Sequence, residues 1–115
     1  MMPRHLTFCL TPNLPLFGLA AALEVLRHAN RMAGIEAYQW SFLTESDNGV
    51  QASNGMWLQP SSSVEKAIDA QMVFIVAGFE PWQFKTPKLG KWLQHQNAKH
   101  ATLGGISNGG FLLAA

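Results

Sequence analysis

The stretch Gly104-Gly105-Ile106-Ser107-Asn108-Gly109-Gly110-Phe111 carries the residue types and spacing closest to a reactive site. An apolar strand that breaks at a small polar residue and re-enters a helix through glycines makes a strained turn. That turn holds one side chain above the strand's carboxyl end, the geometry of a nucleophile elbow. Ser107 occupies the position so aimed. Backbone N–H groups of Asn108 and Gly109, at the start of the following helix, would favour an anion or a polarised carbonyl there. A second reading stays open on spacing alone: a glycine-rich strand-to-helix turn whose serine is a helix cap.

Gly78-Phe79-Glu80-Pro81-Trp82 follows the apolar run MVFIVA, which places it at the carboxyl end of a sheet, where open α/β folds bind ligands. Gly78 and Phe79 are candidate contacts beside Ser107, and a plain turn is the alternative. Asn13, in the Pro-Asn turn after the first apolar run, completes the candidate ligand set of Asn13, Gly78, Phe79, Ser107, Asn108 and Gly109. Cys9 is the only thiol and sits inside an apolar strand pattern, which predicts a buried, inert cysteine. His5, His28, His95 and His100 lack the spacing and neighbouring ligands of a metal centre, so no metal and no cofactor is expected, and all four read as surface or helix-end residues. Glu24 with Arg27 or His28 reads as a side-chain pair along a helix that could also face a second subunit. Trp40, Trp57, Trp82 and Trp92 are expected mostly in the core, with one or two free to line a pocket for a cationic ligand.

The elements that must position these residues follow from periodicity. Leu6 to Leu10 reads as a fully buried strand stopped by Thr11-Pro12-Asn13. From Pro15 to about Ala33, Leu16, Leu19, Ala20, Leu23 and Leu26 recur at helical spacing while Glu24, Arg27, His28 and Arg31 fall mostly opposite. Pro15 suits the first turn and Gly34 the C-cap. Tyr38 to Leu43 is a strand, Asp47-Asn48-Gly49 a turn, and Val50 to Ala52 with Met56 to Leu58 short strands around Ser53-Asn54-Gly55. Ser61 to Ala67 predicts the start of a helical turn capped by Ser62 or Ser63. Met72 to Ala77 is a strand buried on both faces. Thr86 to about Lys99 is a helix with Pro87 in its first turn and Leu89, Trp92, Leu93 and Gln96 on one stripe. Ala101 to Ile106 is a last strand before the run that begins at Phe111. This order predicts an α/β fold, a doubly wound, mostly parallel sheet, with residues 1–115 as the N-terminal part of a single domain.

Joined in order, four segments resemble the sensor domain of AraC-type transcriptional regulators, which has the PfpI-like, class I glutamine amidotransferase-like fold of the flavodoxin-like type. They are LTPNLPLFGLAAALEVLRHAN, YQWSFLTESDNGVQASNGMWLQP, VFIVAGFEPW and GGISNGGFLLA, the last similar to GGICTGAFLLA in that family. In the superfamily's enzymes the elbow carries a cysteine, tuned by a glutamate near the end of the first strand. Here Ser107 stands for the cysteine and apolar Leu16 to Leu19 fall about where the glutamate would be. A serine hydroxyl without an adjacent base is a poor nucleophile, so the resemblance implies a sensor and not an enzyme. It further implies a small nitrogenous effector of the carnitine or betaine kind, a homodimer, and DNA contact through a downstream helix-turn-helix domain. The rival reading is a working PfpI-like hydrolase or glyoxalase.

Composition sets the remaining bounds. The chain has 115 residues, 48% of them apolar and 13% charged, which leaves much of its surface uncharged and makes a missing partner surface plausible. A formal net charge of +1, with no basic stripe, argues against DNA binding by this segment. The apolar run near the start is too short for a signal peptide or membrane span, and one cysteine fits a reducing compartment, so a cytoplasmic protein without membrane contact is expected. Because the last apolar run stops soon after Phe111, the C-terminal part of the fold is expected beyond Ala115. The segment by itself is then expected to self-associate or to need a covering partner.

Overall fold

The computed structural model describes residues 3–45, 48–63, 70–81 and 86–114. Five strands form one parallel sheet in the order β5-β2-β1-β6-β7, from β1 (Arg4–Leu10), β2 (Tyr38–Thr44), β5 (Ser62–Ser63), β6 (Met72–Ala77) and β7 (Thr102–Ser107). β3 (Val50–Gln51) and β4 (Trp57–Leu58) pair antiparallel as a separate hairpin. The chain leaves β1 in one direction for β2 and β5, then returns past β1 to β6 and β7. The order therefore reverses between β1 and β6, the switch point at which such sheets open a crevice.

Both faces of the sheet's centre are covered, which is why β1 and β6 are near-continuous apolar runs. On one face α1 (Leu16–Ala33) and the hairpin pack over Leu6, Phe8, Leu10 and Val76. Phe8 stacks on Phe74, with centroids 5.7 Å apart, and meets Phe42 at 6.3 Å. Their row continues in register to Gly104, where a Cβ would come within 2.6 Å of the Phe74 ring. On the other face α2 (Pro87–Ala98) and α3 (Gly109–Ala114) bury Cys9, Val73, Ile75 and Ala77 beneath Leu89, Trp92, Leu93 and Leu112.

Local signals explain the helices. The N–H of Gly34, at φ 70°, reaches the carbonyls of Asn30 and Arg31 and closes α1, a conformation that favours glycine. Asn30 then clips the helix end to β2: its Nδ2 donates to the Tyr38 carbonyl and its Oδ1 accepts from the Tyr38 N–H, both at 2.9 Å. Thr86 caps α2 by accepting from the Leu89 N–H at 3.2 Å, with Pro87 in the first turn. Gln96 is buried on the inner stripe and accepts from the Ala70 N–H.

Several expectations need correction. Ser62 and Ser63 are strand residues paired with Leu43 and Thr44, because they extend the parallel ladder of β2; the rest of the expected helical turn, residues 64–67, lies outside the described residues. Pro15 is the N-cap of α1, in extended conformation, and not a first-turn residue. β7 runs on through Ser107, which pairs with Ala77. Ala20 is exposed, and of the expected inner stripe only Leu19 is fully buried. Of the described tryptophans only Trp92 is buried; Trp40 is half-buried and Trp57, at the hairpin, is 65% exposed. Trp82 and Asp47 lie outside the described residues. His5 is partly buried, its Nε2 3.0 Å from Ser41 Oγ, and so is not a plain surface residue. Among the described residues no helix is long and apolar enough to cross a membrane.

Candidate functional site

The carboxyl ends of β1, β6 and β7 lie side by side, and three short turns leave them on one rim. The first follows β1. Thr11 is buried and ties the strand end to β6, its N–H and hydroxyl both donating to the Val76 carbonyl at 3.2 and 2.9 Å. Asn13 then adopts φ 64°, a left-handed conformation that asparagine tolerates better than most residues, and its N–H donates to the Gln51 carbonyl at 2.8 Å. The second turn follows β6 at Gly78. A Cβ there would overlap the Asn13 carbonyl oxygen, so the close approach of the two turns requires glycine. Phe79 is 88% exposed, and Glu80 is left-handed at φ 51°.

The third turn is the elbow. Ser107 ends β7 with φ 57°, a strained backbone for a serine, and its side chain is exposed. Residues 108–110 hold that strain in place. Asn108 donates its backbone N–H to the Ala77 carbonyl at 3.0 Å and its Nδ2 to the Gly78 carbonyl at 2.9 Å. Gly109 is buried so tightly on β6 that a Cβ would overlap the Ile75 carbonyl oxygen, and a Cβ on Gly105 would overlap the Gly110 nitrogen. The turn can be this sharp because these glycines let helix backbone lie directly on strand backbone.

Asn13, Gly78, Ser107, Asn108 and Gly109 thus gather on one rim, joined by direct contacts, with Phe79 projecting from it. One of the amides expected to face a ligand is bonded within the chain, while the other belongs to a residue packed closely on β6. The Asn108 N–H is committed to Ala77, and Gly109 serves the packing of α3 against β6. Sequence reasoning did not reach the role of the Asn108 side chain as the brace between the elbow and Gly78; asparagine after the elbow residue was the available signal.

The environment of Ser107 contains little that would activate it. Among the described residues no histidine or carboxylate hydrogen-bonds its hydroxyl. The first turn of α1 carries no acidic residue, and Gly18 there abuts Ile106, with 3.1 Å between a Cβ built on it and Ile106 Cγ2. Burial pushes the Cys9 thiol far above its ordinary value, so the thiolate is suppressed. Among the described residues there is no group of three or more histidine, cysteine, aspartate or glutamate side chains that could hold a metal ion.

An open parallel sheet whose strand order reverses beside a strained strand-to-helix elbow defines a class of fold, and comparison with known proteins places the chain within it. It superposes on an AraC family transcriptional regulator from Pseudomonas putida with a TM-score of 0.86 at 23% identity, covering 97% of this chain and 69% of that one. On a ThiJ/PfpI family protein from Pseudomonas syringae the TM-score is 0.77 at 13% identity, over 98% of this chain and 46% of the other. The fold is that of the DJ-1/PfpI proteins. In sequence, the chain is 37% identical over 113 residues to the HTH-type transcriptional regulator CdhR of Pseudomonas aeruginosa, covering 98% of this chain and 33% of that protein. It is 31% identical over 112 residues to the regulator GbdR of the same species, covering 97% and 30%. No family profile matches. The homologues of this chain are thus HTH-type transcriptional regulators, and the chain spans about a third of the length of the curated relatives it matches.

Proposed function

We propose that this chain is the effector-sensing part of an AraC-type transcriptional regulator, and that the rim at Asn13, Gly78, Phe79, Ser107, Asn108 and Gly109 receives a small metabolite without turning it over. The observation that carries the reading is Ser107: the strained elbow is kept, at φ 57°, while the residue it presents is a hydroxyl that no histidine or carboxylate hydrogen-bonds among the described residues. An elbow that presents a weak nucleophile still orients a polar group at the mouth of a crevice, which suits binding. Phe79, with its ring free at the rim, offers a face for an organic cation. A small nitrogenous metabolite of the betaine or carnitine kind is the effector class that fits. DNA contact belongs to a helix-turn-helix domain further along the regulator, and the regulator is a cytoplasmic homodimer.

Calorimetric titration of the chain with glycine betaine, carnitine and free amino acids tests this reading. One of these should bind, and Ser107→Trp, which fills the rim, should abolish binding while leaving the far-ultraviolet circular dichroism and the cooperativity of unfolding unchanged. Turnover of chromogenic esters or methylglyoxal that Ser107→Ala removes would overturn the non-catalytic reading. Unchanged binding in Ser107→Trp would move the effector elsewhere.

A further inference from the structure

A second concavity lies at the opposite end of the sheet from the elbow. It is a cavity of about 410 Å³ at the amino ends of β1 and β2, lined by His5, Glu36, Tyr38, Gln39 and Trp40. That volume falls within the range of small-molecule sites. Hydrogen bonds fix its walls. The Arg4 N–H donates to the Ala37 carbonyl at 2.9 Å and Asn30 holds both polar groups of the Tyr38 backbone, so the connection that carries Glu36 is pinned across the start of β1. His5 is held by main chain and ring together. Its N–H donates to Gln71 Oε1 at 2.6 Å, its carbonyl accepts from the Gln71 N–H at 3.2 Å, and its Nε2 lies 3.0 Å from Ser41 Oγ. His5 and Gln39 are register partners and share one face of the sheet, while Tyr38 and Trp40 pack against the core beneath α1 on the other.

The lining offers acceptors around a single negative charge. Glu36 is exposed and forms no ion pair with a described residue, and neither lysine nor arginine lines the cavity. Alternate peptides of β2 face away from β1. That of Tyr38 is capped by Asn30 and that of Phe42 by Ser61, whereas the Trp40 N–H and carbonyl between them bond to no described residue. Such a backbone pair is a group still to be satisfied. We propose that this cavity is a second ligand site, separate from the elbow rim, for a small organic cation that carries a primary ammonium group. The Glu36 carboxylate takes the charge, and Gln39 Oε1 accepts an ammonium N–H. With Nε2–H donating to Ser41, His5 Nδ1 is a further acceptor. This chemistry differs from that proposed for the rim. A quaternary ammonium has no N–H, so it would desolvate these acceptors and leave them unpaired. An aromatic cage, which would suit such a cation, is not formed here, because Tyr38 and Trp40 are packed into the core on the other face. Anions are disfavoured by Glu36.

Titration of the chain with putrescine and ethanolamine, followed by calorimetry and by amide chemical shifts, tests the site. At least one of the two should bind saturably, with a Kd of about 1 mM or below. The shifts should move at His5, Glu36 and Gln39 and stay fixed at Ser107 and Asn108. Excess glycine betaine should not displace the amine. Glu36 and Gln39 are both exposed, so substitutions there leave the core untouched. Glu36→Gln should weaken binding at least about 10-fold, and Gln39→Glu, which adds a second carboxylate, should tighten putrescine at least about 3-fold. Glu24→Gln, on the outer surface of α1, controls for a general effect of charge and should change binding less than about 2-fold. No saturable binding of either amine overturns the site and leaves the rim proposal standing. Shifts confined to the elbow, displacement by glycine betaine, or equal losses in Glu36→Gln and Glu24→Gln also overturn it.

Discussion

Gly109 and Gly110 are neighbours in the sequence and should respond in opposite ways to the same methyl group. A Cβ on Gly110 would meet nothing within 4 Å, whereas a Cβ on Gly109 would overlap the Ile75 carbonyl oxygen and come within 2.7 Å of its carbonyl carbon. Strand backbone cannot yield as a side-chain end can. To accept Gly109→Ala, α3 must therefore lift from β6 by an ångström or more. Lifting it breaks the Asn108 N–H bond to Ala77 and the Asn108 Nδ2 bond to Gly78, each worth about 1 kcal/mol, and opens the site of Leu112, which is 1% exposed. Overpacking itself costs about 1–3 kcal/mol. Together these make about 3–5 kcal/mol, a large part of a domain's stability. Gly110→Ala instead trades a flexible helical residue for a better helix former and should stabilise by up to about 1 kcal/mol. Thermal unfolding followed by circular dichroism separates the two: about 1 kcal/mol corresponds to roughly 4 °C for a chain of this size, so Gly109→Ala should fall by roughly 12 °C or more and Gly110→Ala should hold or rise. A Gly109→Ala protein with a parental midpoint would refute the close approach of α3 to β6, and with it the account of how the elbow is held.

Two further outcomes are expected. The Cys9 thiol is neutral when protonated and burial disfavours its thiolate, so its folded pKa lies above the ordinary 9.0; the folded state then binds this proton more tightly, and stability is intact below about pH 8 and falls as pH rises past 9. The slope should approach about 1.4 kcal/mol per pH unit, and denaturant titrations from pH 7 to 10.5 should show Cys9→Ala without it. Asn30→Ala, which strips both hydrogen-bond partners from Tyr38, should cost about 2 kcal/mol and loosen the junction of α1 with β2, visible as faster amide exchange at Gly34 and Tyr38.

Much of this architecture is local and could be read from residue order. A short unbroken apolar run such as MVFIVA, rich in β-branched residues, reads as a strand covered on both faces, the leucine spacing of α1 ends at a glycine that closes it, and Thr86-Pro87 announces a capped helix. The elbow was legible because a small polar residue between a strand and glycines leaves the backbone few other courses, and the positive φ of Ser107 is that constraint realised. Pairing decided what local rules could not. Ser62 and Ser63 have the chemistry of helix caps, and became a strand because β2 offered an open edge to extend. The Asn108 amide is free for a ligand on sequence grounds alone, but it is bound to Ala77, since β6 happens to end beside it. Hydrophobicity by itself would put Trp57, Phe17, Val25 and Met32 in the interior, yet a sheet face has limited area and Leu6, Phe8, Phe42 and Phe74 already fill it. Periodicity states which residues share a side; only the packed layers decide which side is full, and so which apolar residues are left outside.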